Sequence, residues 1–283
     1  RAQSDEDFLL IPAEEANVHF GGHWVLMFPK PVYWFMNRPP GGAFETTHPE
    51  YGQVYSTADA TELLELVRRE GGFMYQTHPR TKGSTGYPDA IMQTDHFRDA
   101  SYLGAGWKAM PSDMSSPRLG DRVFDLLDDL SNEGLRKKIM GEVDVFQFDD
   151  THELYAHMNI NYVRLDDLPS FDEWGEVLEP LASGDFFTTT GEVLLPGVDL
   201  SASTVDRISA RVSVQWTLPL RYAEIVWGEG GTTHREVIPL TKTREFDEET
   251  FQWTVEAEGW SWARVAVWDV ATNGAFTNPT WRD

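Results

Sequence analysis

Hydrophobic and polar positions follow three rhythms along the chain. Residues 8–11, Phe-Leu-Leu-Ile, and 24–28, Trp-Val-Leu-Met-Phe, are short apolar runs that predict two buried strands. Residues 29–55 lose that rhythm. They are rich in Pro, Gly and aromatics, including Trp34, Phe35 and Phe44, and predict a long ordered loop. Helical spacing takes over in residues 56–72: Leu63, Leu64, Leu66 and Val67 share one face, Ser56 or Thr57 is placed to cap it, and Gly71-Gly72 stops it. A strand over 73–77 follows at once. Residues 101–108 predict a Gly-lined strand, 119–130 an amphipathic helix, and 143–148 and 160–165 two more strands. Ser170 with Glu173 has the spacing of a capping box for a helix running to Leu181. Helix followed by strand, repeated, is the alternation of a parallel α/β sheet or barrel.

Beyond Gly184 the period becomes two. Ile208, Ala210, Val212, Val214, Trp216 and Leu218 alternate with Ser209, Arg211, Ser213, Gln215 and Thr217, the pattern of a strand with one dry and one wet face. Similar runs over 221–227, 235–240, 251–256 and 262–270 are separated by turns such as GEGG and FDEE. The expected organisation is therefore an α/β domain over 1–184 and an antiparallel β-sandwich-like module over 185–283. Tryptophans 216, 227, 253, 262 and 268 fall mostly at alternating strand positions, which reads as core rather than as a sugar-binding platform.

Composition narrows the function. The 283 residues are 41% hydrophobic, enough for a real core, and carry a formal charge of -23. That charge argues against a nucleic-acid or anionic-membrane partner, since both reward clusters of Lys and Arg. With no cysteine, a disulfide framework, a thiolate metal site and a Cys nucleophile are all excluded, so any metal must be held by His, Asp and Glu. The apolar stretch 18–36 is interrupted by His19, His23, Pro29, Lys30 and Pro31, which excludes a spanning helix there. The chain opens RAQSDEDF rather than with Met, and the expectation is that an upstream segment has been removed. Acidity and the lack of cysteine suit an exported protein without requiring one.

Three predicted strand tips carry chemistry: Glu15 with His23, then His78, then Asp150 with His152. A lone histidine is more often a satisfied core or surface residue than a ligand, so the coincidence of three tips is what counts. Carboxylates and imidazoles gathered at the end of a sheet are costly to desolvate, and a divalent metal is the commonest compensation. Asp-x-His puts both side chains on one side of an extended segment, and Glu15 has two oxygens with which to bridge two ions. Bound metals lower the pKa of water and stabilise developing charge, which is hydrolytic chemistry. Arg80 and Lys82, in RTKGSTG, and Lys108 are candidate contacts for a phosphate or carboxylate, against a reading as solvated surface. Glu14, Asp144 and Asp149 lie beside proposed ligands in sequence and are candidates to orient them. His19 is an alternative to His23. His48, His96, His157 and His234 have no evident partner and read as structural.

The segment AEE followed by GGH (13–23), GGFMYQTHP (71–79) and DDTH (149–152) resemble the second, third and fourth motifs of the PHP metallohydrolases, the superfamily named for polymerase and histidinol phosphatase. LASGDFFTTTGEVLL (181–195) and AFTNPTW (275–281) resemble the branch that includes carbaryl hydrolase, in which a β-rich module follows the PHP unit. The resemblance implies a distorted (β/α) barrel holding two or three divalent ions, Zn, Mn or Fe, and hydrolysing the phosphoester, carboxylic ester or carbamate bond of a small molecule. By motif position it makes Glu15 the bridging carboxylate. His23 and His78 then complete the second metal, Asp150 binds the first, and His152 binds a third or touches substrate. The family's first motif, a His-x-His, has no counterpart in this chain. The barrel is therefore expected to be N-terminally incomplete, its first strands removed or held as a separate fragment. The alternative reading is a non-catalytic module that binds a glycan or protein, with a vestigial metal site.

Overall fold

The computed structural model describes residues 4–18, 22–78, 94–108, 121–144 and 159–282. The chain forms two compact units, Arg1–Ala105 with Val163–Ser183, and Gly106–Tyr162 with Gly184–Asp283. The seam between Ser183 and Gly184 lies where the hydrophobic rhythm changes, but residues 106–162 group with the C-terminal strands. The second unit is thus assembled from two stretches rather than from 185–283 alone.

In the first unit, β1 (Ala13–Val18) and β2 (Gly22–Met27) pair antiparallel. β2 pairs antiparallel in turn with β6 (Phe73–Gln76), and β6 pairs parallel with β7 (Tyr102–Trp107). Between β2 and β6 lies a second, small sheet. β3 (Tyr33–Phe35) pairs parallel with β5 (Gly52–Ser56), and β5 pairs antiparallel with β4 (Glu45–His48). Residues 29–55 are therefore a sheet and its turns, not the long loop expected. α1 (Ala60–Glu70) buries Leu63, Leu64, Leu66 and Val67, as its spacing predicts. Its cap is Asp59, which accepts from the Glu62 amide at 3.0 Å, while Thr57 instead donates its hydroxyl to the Phe35 carbonyl. Gly71, at φ +67°, supplies the left-handed stop. α2 (Asp95–Arg98) precedes β7. The opening run 8–11 is not a strand. The Leu10 amide donates to the Ser4 hydroxyl and the Asp5 amide to the Phe8 carbonyl, so these groups are satisfied in a local fold instead of a ladder.

The expected (β/α) barrel is overturned. The protein is mostly β, with several sheets, four helices and no closed barrel among the described residues. A parallel barrel needs each helix to cross between neighbouring strands of one sheet. Here β5–α1–β6 has the right order in sequence, but β5 belongs to the small sheet and β6 to the larger one. β1, β2 and β6 are joined antiparallel, which also breaks the pattern. Ser170 and Glu173 do meet, the hydroxyl donating to the carboxylate at 2.8 Å, but they flank a 3₁₀ turn that leads into α4 (Gly175–Ser183).

The second unit contains α3 (Asp121–Asn132), β8 (Lys138–Gly141) and a set of antiparallel strands. One sheet runs β14 (Thr232–Pro239), β13 (Leu220–Glu229), β16 (Trp262–Asp269), β17 (Gly274–Thr277), β10 (Phe186–Thr189) and β9 (Ile160–Val163), with β18 (Thr280–Trp281) on β16. The other is β11 (Val193–Asp199), β12 (Arg207–Trp216) and β15 (Asp247–Glu256). Ile208, Val212 and Val214 of β12 share one apolar core with Ile225 of β13 and Val265 of β16. Trp216, Trp227, Trp253, Trp262 and Trp268 are all buried, in keeping with their reading as core. No described helix is long and apolar enough to cross a membrane.

Candidate metal centre

The antiparallel registers of β1, β2 and β6 assemble the site. Glu15 lies opposite Val25, and His23 lies opposite Asn17 and next to Thr77, whose amide donates to the His23 carbonyl at 3.0 Å. Residues two apart, or directly paired, share one face of a sheet, so Glu15, His23 and Thr77 project together. His23 Nδ1 lies 3.1 Å from Glu15 Oε1, and the Thr77 hydroxyl donates to the same oxygen at 3.1 Å. His78 should point the other way, since successive strand residues alternate. Its φ of +29° breaks the alternation and brings Nε2 to 3.6 Å from Glu15 Oε1. Positive φ in a residue with a bulky side chain costs on the order of 1–3 kcal/mol, and such residues concentrate at functional sites.

One ligand atom from each of Glu15, His23 and His78 lies within 4.8 Å of the others. Two ligands at ordinary zinc distances and a tetrahedral angle stand about 3.3 Å apart. The separations of 3.1 and 3.6 Å from Glu15 Oε1 bracket that figure. The donor set of two imidazoles and one carboxylate suits Zn, Mn or Fe, and is that of many metal sites with positions left for water or substrate. Glu15 is held below the usual carboxylate range. The His78 imidazole is the largest cause, desolvation opposes it, and the hydrogen bonds with Thr77 and His23 add to it. At neutral pH it is therefore the anion that ligation needs. His78 is buried, whereas Glu15 and His23 are about one-third exposed, so the cluster has a fixed wall and an open side.

The expected ligands Asp150 and His152 lie outside the described residues, as do Arg80, Lys82, His19, Asp149 and His157. Lys108 is buried, its ammonium donating to Asp144 Oδ2 at 2.8 Å, so both charges are committed to each other. Glu14 alternates with Glu15 on β1 and pairs with Leu26, which sets it on the opposite face from the cluster. Thr77 is the residue that sequence reasoning missed. Its place immediately before His78, on the predicted strand, was the available signal.

β1 also forms one side of a cleft of about 820 Å³, lined by Glu14, Glu15, Tyr33, Trp34, Phe35 and Met36 among others; Glu14, Ala16 and Leu26 belong to the sheet face opposite the cluster, and neither His23 nor His78 is in its lining. That size is within the range of small-molecule sites, roughly 300–1,000 Å³. Lys30 is the one cation among the described residues that line it, and its ammonium already contacts Glu70 Oε2 at 2.8 Å. Comparison of the chain with known protein families, with curated proteins and with solved structures gave no match.

Proposed function

We propose that the protein is a divalent-metal-dependent hydrolase of ester bonds, with Glu15, His23 and His78 holding the metal and the open side of that cluster receiving a small-molecule substrate. The observation that carries this reading is the convergence of the three ligand atoms within 4.8 Å, from β1, β2 and the bend that follows β6. A bound divalent ion supplies an activated water at neutral pH and a Lewis acid for the oxygen on which charge develops. The chain's own residues do the rest. Thr77 fixes the Glu15 carboxylate through its hydroxyl. The strained His78 backbone holds one imidazole in a buried position where it keeps its orientation.

Charge favours an uncharged ester over a phosphate monoester, since a dianion must approach a chain of formal charge -23. The test is to load the purified protein with Zn²⁺ or Mn²⁺ and measure hydrolysis of p-nitrophenyl acetate and p-nitrophenyl phosphate. Metal-stimulated turnover, abolished in His78→Ala and in Glu15→Ala, is expected, with the acetate preferred. Turnover that is unchanged by chelator or by both substitutions would remove the hydrolase from consideration.

A further inference from the structure

The cleft of about 820 Å³ beside β1 is left without a task by the metal centre, whose histidines lie outside its lining. It belongs wholly to the first unit, and register and alternation show which side chains enter it. On the side of the larger sheet, Glu14 stands opposite Leu26, and Ala16 shares their face. On the other side, Trp34 sits between Tyr33 and Phe35 on β3 and projects away from the face those two share. Tyr33 and Phe35 are 46% and 55% exposed, and the Tyr33 ring packs on that of Tyr51 with centroids 5.1 Å apart, so this pair turns outward. Trp34 is half-buried and turns the other way, while Leu26 and Phe28 are buried. The interior is therefore mostly apolar, with an indole from β3 on one wall and a carboxylate from β1 on the other.

Three charged side chains border the cleft, and two are already committed. The Lys30 ammonium contacts Glu70 Oε2 at 2.8 Å. Glu15 turns its carboxylate to His23 and Thr77 on the opposite face of the sheet. Glu14 has no hydrogen-bond or ion-pair partner among the described residues. One uncompensated negative charge thus stands beside aromatic and aliphatic surface.

That combination selects a ligand. An anion would be repelled. A neutral apolar molecule would cover the Glu14 carboxylate and strip its water without replacing it. A sugar would bring several hydroxyls to walls that are mostly apolar. An ammonium ion with an apolar body meets both demands: the body takes the hydrophobic surface, the charge is attracted to the indole face, and the N–H groups donate to the carboxylate.

We infer that this cleft binds a small hydrophobic amine in its protonated form, with Glu14 as the counter-charge, Trp34 as the cation–π partner and Leu26, Phe28 and Met36 as apolar surface. The site does not depend on the metal centre, since neither His23 nor His78 takes part in it.

Phenylbutylamine, phenylbutanol and phenylbutyrate share one body and differ in charge, and each is titrated calorimetrically into the metal-stripped full chain at neutral pH. A chain of formal charge -23 attracts any cation, so Glu248→Gln, which removes the same charge in the other unit, is the control for Glu14→Gln. Saturable binding of the amine is expected, at least tenfold tighter than that of the alcohol, with the carboxylate weakest. Glu14→Gln, an exposed change checked to keep the melting temperature, should weaken the amine at least fivefold and leave the alcohol within twofold, while Glu248→Gln should alter neither. Trp34→Leu keeps the wall apolar and should reduce the preference for amine over alcohol; an unchanged preference would overturn the cation–π assignment. Amine binding that ignores Glu14→Gln, or that falls equally with Glu248→Gln, would mean diffuse attraction and overturn the proposal. Alcohol bound as tightly as the amine would make the cleft a plain apolar pocket and overturn it too, as would the absence of saturable amine binding.

Discussion

His78 shows how one backbone angle decides what a strand can present. Without its positive φ, Thr77 and His78 would face opposite sides of the sheet, and only one could reach Glu15. Glu15, His23 and His78 were legible in the sequence as candidate ligands because carboxylate and imidazole types stood beside predicted strands. The turn at His78 and the hydroxyl of Thr77 were not, since neither leaves a compositional trace. Another residue whose environment is set entirely by folding is Tyr55. Burial is the largest cause that pushes its phenol up to about 12, and its hydrogen bond to Glu70 adds to it. A raised phenol pKa means that the neutral form is the one the fold favours. The stabilisation is complete below pH 10, the ordinary value, and is lost as pH rises through about 12. Tyr55→Phe should therefore lower stability at pH 8 by about 1 kcal/mol, the usual worth of one hydrogen bond. It should also flatten the decline of wild-type stability between pH 10 and 12, measured by urea unfolding. A variant as pH-sensitive there as the parent would refute the assignment.

At the scale of elements, α1 and β12 illustrate what sequence periodicity can and cannot supply. The helix was readable from four apolar residues on one face and from the glycines that end it, and β12 from strict alternation. The small sheet in residues 29–55 was not. Glu45, Thr46, Thr47 and His48 of β4 are all exposed, so the strand has no dry face to impose a pattern, and β3 meets β5 through parallel pairing over a long stretch of chain. Residues 8–11 erred the other way, since apolar side chains without ladder partners do not make a strand. Gly71 offers a clean test at this scale. A Cβ there would meet nothing closer than Pro29 Cγ at 4.0 Å, so Gly71→Ala isolates the left-handed conformation from any clash. It should cost about 1 kcal/mol in urea unfolding. A neutral or stabilising result would show that the helix ends without this stop.

For the whole molecule, the lesson is that element order does not determine sheet membership. β5–α1–β6 reads as a parallel crossover and connects two sheets instead, so an α/β alternation was inferred where a mostly β protein forms. The second unit was more legible because its strands pair with sequence neighbours in several places, as β13 does with β14 and β16 with β17. Its least legible feature is the ion pair joining α3 to β16. Arg264 donates from Nε and Nη2 to the two oxygens of Asp128, both at 2.8 Å, and both residues are buried. Nothing in the spacing of residues 128 and 264 announces this pairing. Asp128→Asn removes the carboxylate that takes both hydrogen bonds of a buried guanidinium and should destabilise by about 3–5 kcal/mol. Replacing both partners with Leu and Met should cost far less, because the desolvation of both charges is removed together. Equal losses from the single and double changes, measured by chemical unfolding, would mean that the pair is not the source of the effect.

The central claim is that Glu15, His23 and His78 form a metal site, and equilibrium binding tests it most directly. Isothermal titration of the metal-stripped chain with Zn²⁺, repeated with Mn²⁺, should show at least one saturable site. His78→Ala and Glu15→Ala should each weaken that site at least tenfold without loss of the folded signal, and Thr77→Val should weaken it less, since it orients a ligand rather than being one. Affinity unchanged by His78→Ala and Glu15→Ala, or no saturable binding of either ion to the parent chain, would contradict the account.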